Sequence, residues 1–446
     1  MPRCASYLLF AMLVLLSACS SAPHLQYLPL PKPNQPAISQ TTQRPVLPTA
    51  DTSSKLAKPA VSALPALANS SAFISGNKVD LLFDGPQTLA AMRVAINAAQ
   101  NHIHLETYIF DQDALGTEFA QLLIARQRAG IQVNIIYDSV GTLGTPQEFF
   151  EQMKSAGIHL VAFNPVNPMR VENEWQPNHR DHRKVLIVDG KVGFTGGVNI
   201  SSSYAASSLF RSKRKTKSKV GWRDTHLKIE GPAVAVLQSL FLETWASQQG
   251  PALKGNFFPP LSALGNKQVS VIASQPDGPP IIHQAYLKAI AEAKRSVHIT
   301  CAYFVPDTQI LEALYAAAAR GVKVKLILPG VSDSAVMLHA AQSFYTDMLA
   351  HGIKIYQLQI AVLHAKTAVI DGTWSTVGST NLDTRSFLHN SEVNLVILGN
   401  EFGSAMEKAF TEDLLHSIEI KAETWAKRSL RERTQEWMVR HFAYWL

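Results

Sequence analysis

An internal duplication constrains the fold of this chain more than any other feature of its sequence. Residues 79–249 share their order of motifs with residues 268–417. In each copy, helical segments that end in glycine alternate with short strands rich in β-branched residues. Glycine just past the last turn is a common helix stop signal. We therefore predict an α/β fold of two duplicated sandwich domains, over residues 73–250 and 251–420, each with a largely parallel sheet.

The two copies differ in two places. Gly157 and His182 are 25 residues apart, whereas Gly352 and His364 are 12 apart, which gives the first copy a 13-residue, proline-containing excess. The first copy also carries a basic insert, residues 211–219, with six Lys or Arg side chains. We expect these additions to set substrate specificity.

Both copies contain the same polar motif, with a histidine, a lysine two residues later, an aspartate seven residues after the histidine and an asparagine ten residues after the aspartate. The motif residues are His182, Lys184, Asp189 and Asn199 in the first copy and His364, Lys366, Asp371 and Asn381 in the second. Residues two apart on a strand share a face, so imidazole and ammonium point the same way. Each copy thus offers half of a phosphoryl-transfer site.

A histidine nucleophile needs a carboxylate on its other ring nitrogen, which fixes the tautomer and stabilises the cation. Glu392 follows Asn381 by eleven residues and is the candidate partner of His364. Asp224, just after the basic insert, is the candidate partner of His182.

The motif aspartates complete the catalytic motif but lie at an odd offset from the histidines. We therefore expect Asp189 and Asp371 to anchor strand ends rather than to act as acids. Glu106, Tyr108 and Tyr303 are candidates for the pocket lining, although aromatic side chains on such strands are more often core.

The N-terminus has the pattern of an exported lipoprotein. Arg3 precedes an apolar run over residues 7–16, which is short for a membrane span but fits a secretory leader. Leu16-Ser17-Ala18-Cys19 then resembles a lipobox, so Cys19 would carry the lipid. We predict a signal peptide over residues 1–19, a proline-rich tether over residues 20–72 and a periplasm-facing envelope location. Ser20 favours the outer membrane.

The paired motifs resemble the duplicated H-x-K-x4-D motifs of the phospholipase D superfamily, and of bacterial cardiolipin synthases in particular. The resemblance covers residues 79–420, and its most similar runs are residues 105–110, 222–226, 302–307 and 378–386. The chain departs from that pattern in its lipobox and tether, which stand where those synthases usually carry transmembrane helices. It also has Gly197 where the second copy has Ser379.

The resemblance implies one active site at the interface of the two domains and a phosphohistidine intermediate. By analogy with the family, His182 is the nucleophile and His364 the acid and base. The lysines and asparagines of the motif would bind the phosphate oxygens. The substrates implied are anionic phospholipids, most simply phosphatidylglycerol converted to cardiolipin with release of glycerol.

His179 and His182 are three residues apart, a spacing that could place both on one face of a helix as metal ligands. The second copy has Ala361 in place of His179, so the duplication selects only His182, and we expect neither a metal nor another cofactor. Cys301 is expected to be a buried, unreactive side chain.

The chain has a formal net charge of +7, concentrated in the basic insert and in the tail, residues 421–446. The tail interleaves aromatic and basic residues, which suits a membrane-interface helix or a helix docked on the second domain. A membrane is the expected partner and nucleic acid is not. Two other functions remain open: hydrolysis with water as acceptor, by a phospholipase D or a nuclease, and non-catalytic lipid binding in the envelope.

Overall fold

The structure is a computed structural model that describes residues 72–165, 178–205 and 221–441. The predicted signal peptide with Cys19 and Ser20, the tether up to residue 71 and the basic insert lie outside the described residues. So do most of the 13-residue excess before His182 and the last five residues of the tail.

Each copy of the duplication folds into alternating strands and helices. The strands of the first copy are β1 (Ile74–Leu82), β2 (His102–Thr107), β3 (Gln132–Asp138), β4 (His159–Phe163), β5 (Arg180–Asp181), β6 (Val185–Val188), β7 (Val192–Gly196), β8 (Trp222–Arg223) and β9 (His226–Glu230). Its helices are α1 (Gly85–Ala98), α2 (Ala114–Arg128), α3 (Gln147–Ser155), a short 3-10 helix (Ser202–Tyr204) and α4 (Val234–Ser247).

The second copy repeats this order and adds a C-terminal extension. Its strands are β10 (Lys267–Ser274), β11 (Ser296–Cys301), β12 (Phe304–Val305), β13 (Lys323–Pro329), β14 (Lys354–Leu358), β15 (Val362–Leu363), β16 (Lys366–Ile370), β17 (Trp374–Gly378), β18 (Leu382–Asp383), β19 (Asn390–Leu398) and β20 (Ser417–Ile420). Its helices are α5 (Ile281–Glu292), α6 (Thr308–Ala319), α7 (Ala335–Gln342), α8 (Tyr345–Ala350), α9 (Thr384–Leu388), α10 (Asn400–Leu415), α11 (Ala422–Trp425) and α12 (Leu430–Arg440).

One continuous sheet joins the two copies. The first copy contributes β4-β3-β2-β6-β7-β9-β1 and the second β14-β13-β11-β16-β17-β19-β10, with β20 beside β14. The two sets join where β1 pairs antiparallel with β10, with Ile74 opposite Val269. Counted outward from the β1–β10 pair, corresponding strands of the two copies follow each other in the same order. This order confirms the α/β fold and the duplication.

The sheet of each copy is mixed, so the prediction of a largely parallel sheet was wrong. Along the continuous sheet, the parallel pairs are β2–β3 and β3–β4 in the first copy and β11–β13 and β13–β14 in the second. The strands that carry and follow the motifs pair antiparallel because β6–β7 and β16–β17 are hairpins. Tight hairpins allow only antiparallel pairing, whereas each parallel pair is joined by a helix.

Helices cover both faces of the sheet. In the first copy α1, α2 and α3 pack on one face around Phe110, Leu123 and Ile135. On the other face α4 packs on strands of both copies in a shared cluster that includes Leu237 and Leu395. Because this cluster draws buried side chains from both copies, it joins the two copies, while each copy also has a core cluster of its own.

The motif aspartates anchor the junctions between helix and strand, as predicted. Asp189 accepts hydrogen bonds from the backbone N–H groups of residues 100, 101 and 102 at 2.7–3.0 Å. Asp371 accepts three equivalent bonds from residues 294, 295 and 296 at 2.7–2.9 Å. Both aspartates have a positive φ, 55° and 53°, a conformation that aspartate tolerates better than most residues.

The tail forms α11 and α12, which dock on α8 and the segment before it. The Trp425 ring lies 5.0 Å from that of Tyr345, and Arg440 pairs with Asp347 at 3.0 Å. This is the docked alternative of the two that the sequence left open. Trp437 nevertheless remains 63% exposed. Across the described part of the chain, no helix combines the length and the apolar character needed to cross a membrane.

Candidate active site

Each motif histidine follows a two-residue strand that pairs with the other copy. β5 runs parallel to the start of β19, and the His182 N–H donates to the Ser391 carbonyl at 3.0 Å. β15 runs parallel to β8, and the His364 N–H donates to the Arg223 carbonyl at 2.8 Å. The residue that follows Ser391 is Glu392, and the residue that follows Arg223 is Asp224. Each motif histidine is thus held beside an acidic residue of the other copy.

The two acids are therefore exchanged between the copies. The Glu392 carboxylate lies 2.9 Å from Nδ1 of His182, and the Asp224 carboxylate lies 2.7 Å from Nδ1 of His364. The prediction that each acid pairs with the histidine of its own copy was wrong. That prediction assumed that each copy supplies both the histidine and its acid. The short parallel strand pairs instead bring each histidine against the acid-bearing segment of the other copy.

Burial controls the charge of both histidine–acid pairs. It lowers the pKa of His182 to about 4 although Glu392 opposes the shift. Burial and the neighbouring lysines also hold the pKa of His364 well below its ordinary value. The acids differ: burial raises the pKa of Asp224 to about 6, whereas for Glu392 the burial effect is outweighed by His182 and other donors, so its pKa falls. Burial therefore disfavours the charged form of both imidazoles in the empty cleft.

The two motif lysines are buried beside the backbone of the motif histidines. Lys184 donates to the carbonyl of His182, and Lys366 donates to that of His364. Burial lowers the pKa of Lys184 to about 7 and also lowers that of Lys366. An anion placed here would restore their full charge, because it would offset the cost of burying a cation.

The motif asparagines are fixed by the backbone of neighbouring loops. Oδ1 of Asn199 accepts from the N–H of Ile109 at 3.1 Å, and Oδ1 of Asn381 accepts from that of Tyr303 at 3.3 Å. Nδ2 of Asn199 also donates to the hydroxyl of Tyr204 at 2.9 Å. That hydroxyl lies 3.2 Å from Nδ1 of His364, so Tyr204 links the asparagine of one copy to the histidine of the other.

Gly197 and Ser379 occupy equivalent positions in the two copies but differ in their contact with the neighbouring acid. Ser379 donates its hydroxyl to Glu392. A Cβ atom at position 197 would lie 2.0 Å from Oδ1 of Asp224. The first copy therefore requires glycine here because the Asp224 carboxylate fills the space that Ser379 uses in the second copy.

The histidines open into a single cleft of about 220 Å³. Its lining residues include His182, His364, Asn199, Asn381, Tyr108 and Tyr303. Glu106, the third suggested lining residue, is instead fully buried, 3.6 Å from Arg183. The cleft therefore brings together both motif histidines and both asparagines.

Sequence reasoning missed several residues of this cleft region, among them Arg180, Tyr204, Asp333 and Arg385. Arg180 had a usable signal, because it is two residues before His182 and so shares its strand face. Arg385 follows Asn381 by four residues. No local pattern marks Asp333, which belongs to the loop after β13.

The histidine considered as a metal ligand lies elsewhere. Nε2 of His179 is 3.8 Å from the carboxylate of Asp277. Within residues 72–165, 178–205 and 221–441, no three His, Cys, Asp or Glu side chains are arranged to bind a metal ion. Cys301 is buried, and burial raises the pKa of its thiol to about 12.

Comparison with known proteins shows which family contains this chain. The sequence profile described as "Cardiolipin synthase, PLD-like domain" matches residues 92–209 and 286–414, one match for each copy of the duplication. The chain belongs to the cardiolipin synthase family of phospholipase D-like proteins. The matched segments contain both histidine–lysine motifs.

Individual members of the cardiolipin synthase family agree over most of the chain. The cardiolipin synthase of Geobacillus kaustophilus is 36% identical over 360 residues, which cover 80% of this chain and 70% of that protein. Cardiolipin synthase 1 of Bacillus anthracis is also 36% identical, over 81% of this chain and 71% of its own length. Among solved structures, the phosphatidylserine synthase of Haemophilus influenzae shares the fold, with a TM-score of 0.62 at 13% identity over 86% of this chain and 97% of that one.

Proposed function

We propose that this chain is a phosphatidyltransferase that forms cardiolipin from two molecules of phosphatidylglycerol and releases glycerol. The observation that supports it best is the pair of motif histidines in one cleft, each backed by a carboxylate of the other copy. The relatives named cardiolipin synthase support the choice of substrate and acceptor. No cofactor is needed for this chemistry.

In the first step Nε2 of His182 attacks the phosphorus of the donor lipid. The bond from phosphorus to the headgroup oxygen breaks, and the leaving glycerol oxygen takes a proton from Nε2 of His364, because the His364–Asp224 pair enters this step holding one extra proton. A phosphatidyl–histidine intermediate remains on His182, and Glu392 stabilises the positive charge of its ring. The lysines and asparagines of the motifs bind the phosphate oxygens and offset the charge that develops on them.

In the second step the headgroup hydroxyl of another phosphatidylglycerol attacks the same phosphorus. Its proton passes to Nε2 of His364, the bond between phosphorus and His182 breaks, and both histidines regain their starting state. Cardiolipin leaves with two phosphodiesters. The same chemistry with water as acceptor would give phosphatidic acid instead.

The difference between the two acids supports the role assigned to each histidine. A nucleophile is best served by an ionised partner, and the pKa of Glu392, beside His182, is lowered. An acid is best served by a pair that readily holds a further proton, and burial raises the pKa of Asp224, beside His364, to about 6. His182 is therefore proposed as the nucleophile and His364 as the acid and base.

We also propose that Cys19 carries a lipid anchor that keeps the enzyme at the periplasmic face of a membrane, with Ser20 favouring the outer one. The lipobox 16–19 and the proline-rich segment after it support this. Labelled palmitate should enter the wild-type chain and the Cys301→Ala control but not Cys19→Ala. Label in Cys19→Ala would contradict the anchor.

The transfer itself is tested on purified protein with phosphatidylglycerol vesicles. Cardiolipin and glycerol should appear in equal amounts, and both His182→Ala and His364→Ala should abolish them. His351→Ala, which replaces an exposed histidine remote from the cleft, is the matched control and should behave as wild type. Accumulation of phosphatidic acid without cardiolipin would show a hydrolase and overturn the proposal.

A further inference from the structure

The two ends of the cleft differ in charge. The guanidinium groups of Arg180 and Arg385 act on the hydroxyl of Tyr108, whose ring lies 5.1 Å from that of His182, and so does the buried Asp138, which pairs with Arg180 at 3.8 Å. At the other end the Tyr303 ring lies 6.5 Å from that of His364, and the carboxylate of Asp333 lines the same cleft. The arginines near His182 thus lie beside a buried counter-ion, whereas the end near His364 carries an exposed carboxylate.

Asp333 is the exposed acidic group near Tyr303, whereas the neighbouring Asp383 is buried and accepts the backbone N–H of Ser386. Asp333 is exposed at the cleft mouth, and its two oxygens accept the Tyr303 hydroxyl at 2.9 and 2.8 Å. Its other side-chain contact is a hydrogen bond from Ser332 at 3.4 Å, and no lysine or arginine pairs with it in the described segments. An ionised carboxylate has about four lone-pair sites, so this one can accept further hydrogen bonds from a ligand.

Tyr303 completes this end of the cleft. Burial, and then Asp333, raise the pKa of its hydroxyl, so the group stays protonated and donates to Asp333. The first copy has Ile109 at the equivalent place, since each of the two residues donates its N–H to the asparagine of its own motif. At this position of the duplication, the second copy therefore has a hydroxyl paired with an acid where the first copy has an apolar side chain.

We propose that Asp333 and Tyr303 form an alcohol subsite that binds a second hydroxyl of the glycerol headgroup, a role that rests on the proposed function. With His364 as acid and base, both the leaving and the entering headgroup oxygens lie at this end. A polyol can place one hydroxyl at His364 and donate another to Asp333. An alcohol with a single hydroxyl leaves Asp333 without that partner, and sites built around a substrate hydroxyl discriminate against such analogues.

An acceptor competition tests the subsite. Purified protein, phosphatidylglycerol vesicles and equal concentrations of deuterated glycerol and ethanol should yield mostly deuterated phosphatidylglycerol over phosphatidylethanol. Asp333→Ala and Tyr303→Phe should each lower this product ratio by about 10- to 100-fold, the range expected for a lost hydrogen bond to a charged group. Asp333→Glu should recover part of the preference. Because both products come from one reaction, a general loss of activity leaves their ratio unchanged.

The controls separate this inference from the proposed function. Asp80→Ala removes an exposed carboxylate outside the cleft and should keep the wild-type ratio. Ratios equal to wild type in Asp333→Ala and Tyr303→Phe would overturn the subsite alone. A preference for added ethanolamine over glycerol would also overturn it, because Asp333 would then select an ammonium group. A wild-type protein that transfers to no acceptor would refute the proposed function instead.

Discussion

Glu392 lies 2.9 Å from Nδ1 of His182 although 210 residues separate the two in the chain. Asp224 and His364 make the reciprocal contact at 2.7 Å. Neither motif histidine therefore pairs with a carboxylate of its own copy. The active site therefore needs both copies, because each copy supplies the acid that orients the motif histidine of the other.

The exchanged acids predict separable defects in the two chemical steps. A phosphatidyl ester of p-nitrophenol has a leaving group that needs no acid, so Asp224→Asn should keep its initial burst of p-nitrophenol. The same variant should slow glycerol release by about 10²- to 10⁴-fold, the usual contribution of a general acid. Glu392→Gln should slow both reactions, because it disturbs the nucleophile itself.

Rapid-quench kinetics with both substrates measure these effects, and peptide mapping of the trapped intermediate locates the phosphohistidine independently. If the intermediate is on His182 yet Asp224→Asn abolishes the burst, the exchanged pairing does not govern catalysis.

Gly197 gives a second prediction. In Gly197→Ser the new Cβ would lie 2.0 Å from Oδ1 of Asp224, so the carboxylate must move away from His364. A displacement of about 1 Å near a reacting group can cost about 10²-fold in rate, and cardiolipin formation should fall by that order. Ser379→Ala removes a hydrogen bond to Glu392 without a clash and should cost less, about tenfold. Unchanged activity in Gly197→Ser, with an unchanged thermal midpoint, would contradict this steric argument.

The sequence predicted the duplication, the motif residues and the anchoring role of Asp189 because these depend on local spacing. It did not predict the exchange of Asp224 and Glu392, since that depends on the two-residue strands β5 and β15 pairing across the copies. Such short strands carry no periodic signal. The mixed sheet was missed for a related reason: short strands joined by tight hairpins resemble the strands of helix-linked parallel units when only β-branched runs are considered.

The buried lysines predict a pH-dependent affinity for anions. In the empty cleft burial holds the pKa of Lys184 at about 7, and a bound anion should raise it. Binding then takes up a proton above that pH, so affinity should fall as pH rises, by at most about tenfold per pH unit for one proton. Sulfate is a suitable probe because it does not titrate in this range. Calorimetry in buffers of different ionisation enthalpy measures both affinity and proton uptake.

Lys184→Met is the control for this linkage. It should bind sulfate more weakly at neutral pH and take up fewer protons above it. Equal proton uptake in wild type and Lys184→Met would assign the effect to another group and contradict the prediction.

The last prediction concerns the backbone that carries Asp224. Arg223, fully buried, donates to the Asp413 carboxylate at 2.8 and 2.9 Å and also to the carbonyl of Asp224. Asp413→Ala would leave the guanidinium buried without its counter-ion, which typically costs about 3–5 kcal/mol. Glu118→Ala breaks the more exposed pair with Arg93 and should cost at most about 1 kcal/mol. Urea unfolding measures both, and a double variant Arg223→Met with Asp413→Leu should recover stability because no charge remains buried. If Asp413→Ala lowered the free energy of unfolding no more than Glu118→Ala, water would have to reach Arg223. That result would contradict a rigid support of the Asp224 backbone by Arg223 and Asp413.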